Sequence, residues 1–298
     1  MIDQPRGVIA PVTTPFSRQG DLMLDALVRN IEKYVQTPLA GILVGGSTGE
    51  APHLDSDEAV QIVEEIAPLI PSDKSFLVGI ACSTLRQAKS FVDEVSGMNI
   101  DAFLVSVPSY YKNRMNDRTL GHFFESVADH SPCPIILYNI PAFSGISMSP
   151  ELVEELSAHA NIKGIKDSSA DLIYMQKVLD ATSKNDFEVI TGSAETLSAA
   201  MVLGVRRGIL AVACVLPELV DGLLRAFEQH LPDLPTRQIE LCRISWTLVK
   251  DLGIQGVKYA MDLRGYEGGF CRLPLAPLTD EEKQCAERVL EGVRMTRL

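Results

Sequence analysis

Apolar runs of four to eight residues recur through the first three quarters of the chain, separated by longer segments whose apolar positions fall three and four apart. The runs are GVIAPVTT (7–14), GILVGG (41–46), SFLVGI (75–80), AFLVSV (102–107), PIILYNI (134–140), IKGIK (162–166), EVITG (188–192) and RGILAVA (207–213). Between them LDALVRNIEKYVQ, SDEAVQIVEEIAPLI, TLRQAKSFVDEV, LGHFFESVAD, PELVEELSAH, LIYMQKVLDAT and ETLSAAMVLG carry charges opposite an apolar stripe, as amphipathic helices do. Strands this rich in Val and Ile, each followed by a helix, predict a parallel sheet buried on both faces. Eight of them favour an α/β fold of the closed (β/α)8 TIM-barrel type. An open doubly wound sheet calls for a GxGxxG turn after its first strand, and the sequence has none there.

The rhythm changes near residue 230. QHLPDLPT reads as a proline-punctuated connector, and TRQIELCRISWTLVKDL, IQGVKYAMDLRG and TDEEKQCAERVLEGVRM read as helices with no strand between them. Thr279 followed by Glu282 marks an N-terminal capping box on the last. The expected organisation is a barrel over residues 1–230 and a C-terminal helical appendage over 231–298.

Composition narrows the partners. Of 298 residues 46% are hydrophobic and 22% charged, ordinary for a soluble globular protein, and the formal net charge of -12 with no Lys/Arg cluster argues against nucleic acid. No apolar run approaches the ~18 residues of a membrane span. The N-terminus, MIDQPRGVIAPVTTPF, lacks the layout of a signal peptide. Six scattered cysteines with no CxxC pair fit free thiols in a reducing cytoplasm, and five dispersed histidines suggest no metal.

Chemistry gathers where the strands of such a barrel end. In NIKGIKDSSADL, alternation puts Lys163 and Ile165 on one face and Gly164 and Lys166 on the other. A lysine turned into a barrel must be paired or must lose its proton. Lys166 is therefore either the partner of a carboxylate, Asp167 or Asp171, or a neutral amine able to attack a ketone and form a Schiff base. GGSTGE (45–50) offers turn amides and two hydroxyls, suited to a small carboxylate or, alternatively, to capping the next helix. Tyr138 shares parity with Ile136 and points inward, as a proton carrier or as a core phenol bonded to backbone. Tyr110 and Tyr111 suit a site or a subunit contact.

GSTGE, PSYY, YNIPAFSG and GIKDSS, in this order along the barrel with GVIAPVTTPF before them, resemble the pyruvate-dependent class I aldolase family that includes N-acetylneuraminate lyase and dihydrodipicolinate synthase. The resemblance implies a barrel with a C-terminal helical domain, a homotetramer, and no cofactor beyond the covalent Schiff base. It implies that Lys166 binds pyruvate or another 2-keto acid. Tyr138 is then the acid/base phenol, and Ser47 and Thr48 hold the carboxylate. Tyr111 forms a relay with Ser47 and Tyr138, in its own or a neighbouring subunit, and Gly192 lies close to pyruvate.

Departures from the family's patterns bear on the second substrate. Dihydrodipicolinate synthases typically carry an arginine two residues after the proline of YNxP, where this chain has Phe143. Sialic acid lyases carry acidic and hydroxyl groups after strands seven and eight, where this chain has Glu195 but Ala194 and Ala211. A less polar distal pocket is expected, suited to a 2-keto-3-deoxy sugar acid or a 4-hydroxy-2-oxoglutarate-type substrate, with Lys112 or Arg114 the candidates for a distal carboxylate. Synthase or neuraminate lyase activity proper is the alternative. A non-catalytic 2-keto acid binder would not need Tyr138. A phosphosugar enzyme would need a basic, glycine-rich segment after strands seven and eight, which TGSAET and AVACVLPE lack.

Overall fold

Strict alternation of side chains builds two cores from one set of strands. The computed structural model describes residues 7–293. Its strands are β1 (Gly7–Pro11), β2 (Gly41–Val44), β3 (Ser75–Ile80), β4 (Ala102–Ser106), β5 (Ile135–Asn139), β6 (Ile162–Asp167), β7 (Glu188–Thr191) and β8 (Arg207–Ile209). All pairs are parallel, in sequence order, and β8 closes on β1. Ile9, Leu43, Leu77, Leu104, Ile136 and Ile190 fill the barrel interior. Their neighbours, such as Val8, Ile42, Val78, Val105, Leu137 and Val189, face outward to the helices.

Those helices are α1 (Leu24–Tyr34), α2 (Ser56–Ile66), α3 (Leu85–Glu94), α4 (Asp117–His130), α5 (Pro141–Ser144), α6 (Pro150–Ser157), α7 (Leu172–Ala181), α8 (Leu197–Val202) and α9 (Pro217–Glu228). Beyond the barrel come α10 (Leu234–Ser245), a π-helical turn (Trp246–Asp251), α11 (Gly253–Leu263) and α12 (Asp280–Glu291). α10 packs on α8, α9 and the turn after β7, while α11 packs on the turn after β8. The fold is the expected TIM barrel with helices following it.

Three local readings change. RGILAVA pairs as a strand only to Ile209, and Ala211–Cys214 forms a 3-10 turn. A run buried on all sides looks the same in either conformation, so periodicity cannot separate them. The connector is shorter than QHLPDLPT, because Pro235 is tolerated in the first turn of α10. Finally, the β5–β6 register steps from Ile135↔Ile162 to Ile136↔Gly164, which bulges Lys163 out of the ladder. Lys163 pairs with Asp186 at 3.1 Å, and alternation resumes at Gly164. The Thr279 capping box forms, with Glu282 N donating to Thr279 Oγ1 at 3.3 Å. Residues 294–295 of that expected helix, like residues 1–6, lie outside the described residues.

Candidate active site

Ladder register brings the inward polar residues together. Tyr138 on β5 stands opposite Lys166 on β6, which stands opposite Ile190 on β7. Lys166 is 4% exposed. Its Nζ lies 4.2 Å from the centroid of the Tyr138 ring.

The carboxylates that could have paired with this lysine are engaged elsewhere. Asp167 faces the other way, accepting from Asn139 Nδ2 at 2.8 Å and Ser169 Oγ at 2.7 Å. Burial holds its carboxyl above the usual range, with Ser169 and Asn139 opposing that shift. Asp171 caps α7 through Ile173 N and Tyr174 N at 2.9 and 3.0 Å. Among the described residues, Lys166 Nζ makes no ion pair or hydrogen bond, and the Tyr138 hydroxyl has no backbone partner.

Lys166 has room because of Gly192. A Cβ at Gly192 would fall 3.0 Å from Lys166 Cε and 2.0 Å from Ser168 Oγ. Gly192→Ala is therefore expected to push the lysine aside and lower kcat/KM about 10²-fold, since misplacement by ~1 Å suffices for that. Steady-state kinetics check this; activity within threefold of the parent would show that the space is not needed.

The turn 45–50 after β2 supplies donors. Gly45 adopts φ 65, a left-handed conformation natural to glycine. Gly49 N and Ala51 N both bond to Gly46 O, at 3.0 and 3.2 Å, and close the turn on itself. Among the described residues, the amides and hydroxyls of Ser47 and Thr48 have no protein partner. They do not cap the next helix, because Asp55 occupies that position and its amide donates to Glu58 at 3.0 Å.

Ser47 and Tyr138 line a cavity of about 420 Å³ together with Gly46, Glu50, Ile140 and Phe143. Lys166 is not on its wall but directly beside Tyr138. Phe143, on α5, is 72% exposed at the rim. Among the described residues, no Lys or Arg lines it.

Thr48 and Gly192, like Lys166, are not among the residues lining the cavity, and Tyr111 and Glu195 stand apart from it within one chain. Tyr111 is 67% exposed on the loop after β4, edge-on to Tyr110 at 5.0 Å between ring centroids. Glu195 accepts from Ser193 Oγ at 2.6 Å and Ser245 Oγ at 2.9 Å, which ties the turn after β7 to α10. Its carboxylate is occupied by the packing of α10, a long-range contact that no local pattern announces. Ala194 is buried beside it, and Arg114 is exposed. Lys112 reaches the α5 loop, its Nζ 3.7 Å from where a Cβ on Gly145 would be.

A further polar cluster is absent from the motif reading. Glu50 and Lys258 form an ion pair, each 1% exposed. Burial pulls the Lys258 ammonium below its usual range, with Cys271 and Glu50 opposing. The available signal was Lys258 within the apolar stripe Ile254, Lys258, Met261 of α11.

Residues 4–293 match the model of the dihydrodipicolinate synthetase family. The chain is 32% identical over 289 residues to a 4-hydroxy-tetrahydrodipicolinate synthase of Methanothrix thermoacetophila, covering 96% of each. It is 33% identical over 288 residues to the enzyme of that name from Methanosphaerula palustris, covering 95% of this chain and 98% of the relative. Among solved structures, a dihydrodipicolinate synthase from Bacillus anthracis superimposes with a TM-score of 0.93 at 25% identity, covering 99% and 100%. A dihydrodipicolinate synthase from Acinetobacter baumannii complexed with pyruvate shares the fold with a TM-score of 0.89 at 24% identity, covering 96% of this chain and 98% of that one.

Proposed function

The chain belongs to the dihydrodipicolinate synthetase family of lyases, and from that premise we propose that it makes or breaks a carbon–carbon bond between pyruvate and a small aldehyde through a Schiff base on Lys166. The observation that carries this reading is a buried lysine with no carboxylate partner, beside an inward phenol and a turn of open donors.

In the cleavage direction Ser47 and Thr48 donate to the 2-keto acid's carboxylate, and Lys166 Nζ attacks C2. Loss of water from the carbinolamine leaves an iminium that withdraws electrons from C3. Tyr138 passes protons at both stages: it assists water loss and takes the C4 hydroxyl proton as the C3–C4 bond breaks. The bond's electron pair becomes an enamine and the aldehyde departs. Protonation at C3 and hydrolysis then release pyruvate. The lysine is itself the electron sink, so the scheme uses no metal or organic cofactor.

The wall without Lys or Arg supports an uncharged aldehyde, and Ile140 and Phe143 support a short one. The preferred substrate is a 2-keto-3-deoxy sugar acid. A 4-hydroxy-2-oxoglutarate-type dicarboxylate would draw on Lys112, which reaches Gly145 after α5. Pyruvate release from both compounds, followed with lactate dehydrogenase and NADH, tests this; turnover of neither would remove the assignment. The names of the relatives favour a second reading, synthase activity proper, which would likewise need Lys112 for a carboxylated aldehyde.

Among the exposed apolar residues are Tyr110 and Tyr111 after β4, and Ile173 on α7 and Val202 on α8. Two distinct self-complementary patches are what a homotetramer requires. Tyr111 would then complete a neighbour's cavity. A monomer in sedimentation at assay concentration would remove the shared site. The six unpaired cysteines suit a cytoplasmic setting.

A further inference from the structure

The donors of Ser47 and Thr48 are useful only if the turn that carries them holds still before a ligand arrives. Within the turn itself, Gly46 O is the acceptor that closes it, and its other end is Glu50. Glu50 adopts φ 55, a left-handed conformation that is unfavourable for a residue with a Cβ. Something outside the turn must keep it there.

The partners of Glu50 come mainly from beyond the barrel. Its Oε1 pairs with Lys258 Nζ of α11. Its Oε2 accepts from the backbone amide of Arg272 at 3.0 Å and lies 3.0 Å from His53 Nδ1. Lys258 in turn donates to Phe270 O at 2.6 Å and sits 4.7 Å from the centroid of the Phe16 ring. Arg272 lies 4.2 Å from the same ring and is anchored to Glu58 of α2. On the barrel side Thr14 Oγ1 donates to Gly49 O at 2.7 Å.

A buried ion pair contributes little net stability, because the desolvation of both charges offsets their attraction. What it does impose is geometry: Glu50 meets three partners at once with its backbone in this conformation. We propose that Glu50 and Lys258 are positioning residues for the pyruvate carboxylate site, through which the C-terminal helices hold the Ser47–Thr48 turn in its binding shape. This rests on the Schiff-base reading and adds a reason for the helices to be there. Glu50 borders the cavity but its carboxylate is buried against Lys258, so both residues act through the turn.

The test is reductive trapping of pyruvate on Lys166 at graded pyruvate concentrations in the full-length chain, with Lys258→Met, Glu50→Gln and the double variant. Loss of well-placed donors to a carboxylate is expected to raise the half-saturating pyruvate concentration about tenfold or more, while the limiting rate per folded molecule changes by less than about threefold. A merely structural role would move the melting temperature and the folded fraction but not half-saturation. The double variant leaves no buried charge unpaired, so it keeps the test available if a single variant fails to fold. Half-saturation within twofold of the parent in any folded variant overturns the inference. A parent chain that traps no pyruvate on Lys166 overturns the Schiff-base reading beneath it.

Discussion

Replacing Lys166 with methionine is expected to abolish turnover, lowering kcat/KM by about 10⁴-fold or more, because among the described residues no lysine lines the cavity to form the Schiff base in its place. The same substitution is expected to leave the fold stable. Methionine replaces the unbranched apolar stem of lysine and lacks only its terminal amine, and Asp167 loses no partner because its oxygens are bound to Asn139 and Ser169. The change in unfolding free energy should stay within about 1.5 kcal/mol, as for a volume-conserving swap. Breaking a buried ion pair would instead cost about 3–5 kcal/mol. Thermal unfolding and kinetics on the same sample therefore separate a lysine kept for chemistry from one kept for structure. Residual activity above about 1% would deny the lysine its covalent role.

Tyr138→Phe is expected to lower kcat by about 10²- to 10⁴-fold, the usual contribution of a positioned acid or base. The ring is buried within the barrel and packs beside Lys166, so phenylalanine preserves the packing. Only the hydroxyl goes, and it leaves no backbone acceptor stranded. Single-turnover kinetics should show both adduct formation and bond cleavage slowed. Unchanged kcat would revive a protein that binds 2-keto acids without converting them.

How much of this was legible depended on the range of the contact concerned. The strand period alone orders Gly164, Ile165 and Lys166, and that order survives in the barrel. It fails one residue earlier, because the bulge at Lys163 is a property of the β5–β6 pair and not of either strand. The alternatives for Lys166 stayed open in the sequence, since the direction of Asp167 depends on Asn139, its register partner on another strand. Glu195 shows the same limit: its neighbour Ser245 is 50 residues away. Glu50 and Lys258, 208 residues apart, meet only because α11 returns over the mouth of the barrel. A lysine within an apolar stripe told of a buried partner but not which one.

The central claim concerns one bond. Incubating the protein with pyruvate and borohydride, then digesting it and locating the adduct by mass spectrometry, tests that bond directly. The account predicts a single reduced pyruvyl group on the peptide containing Lys166. No adduct, or one scattered over surface lysines, would contradict it.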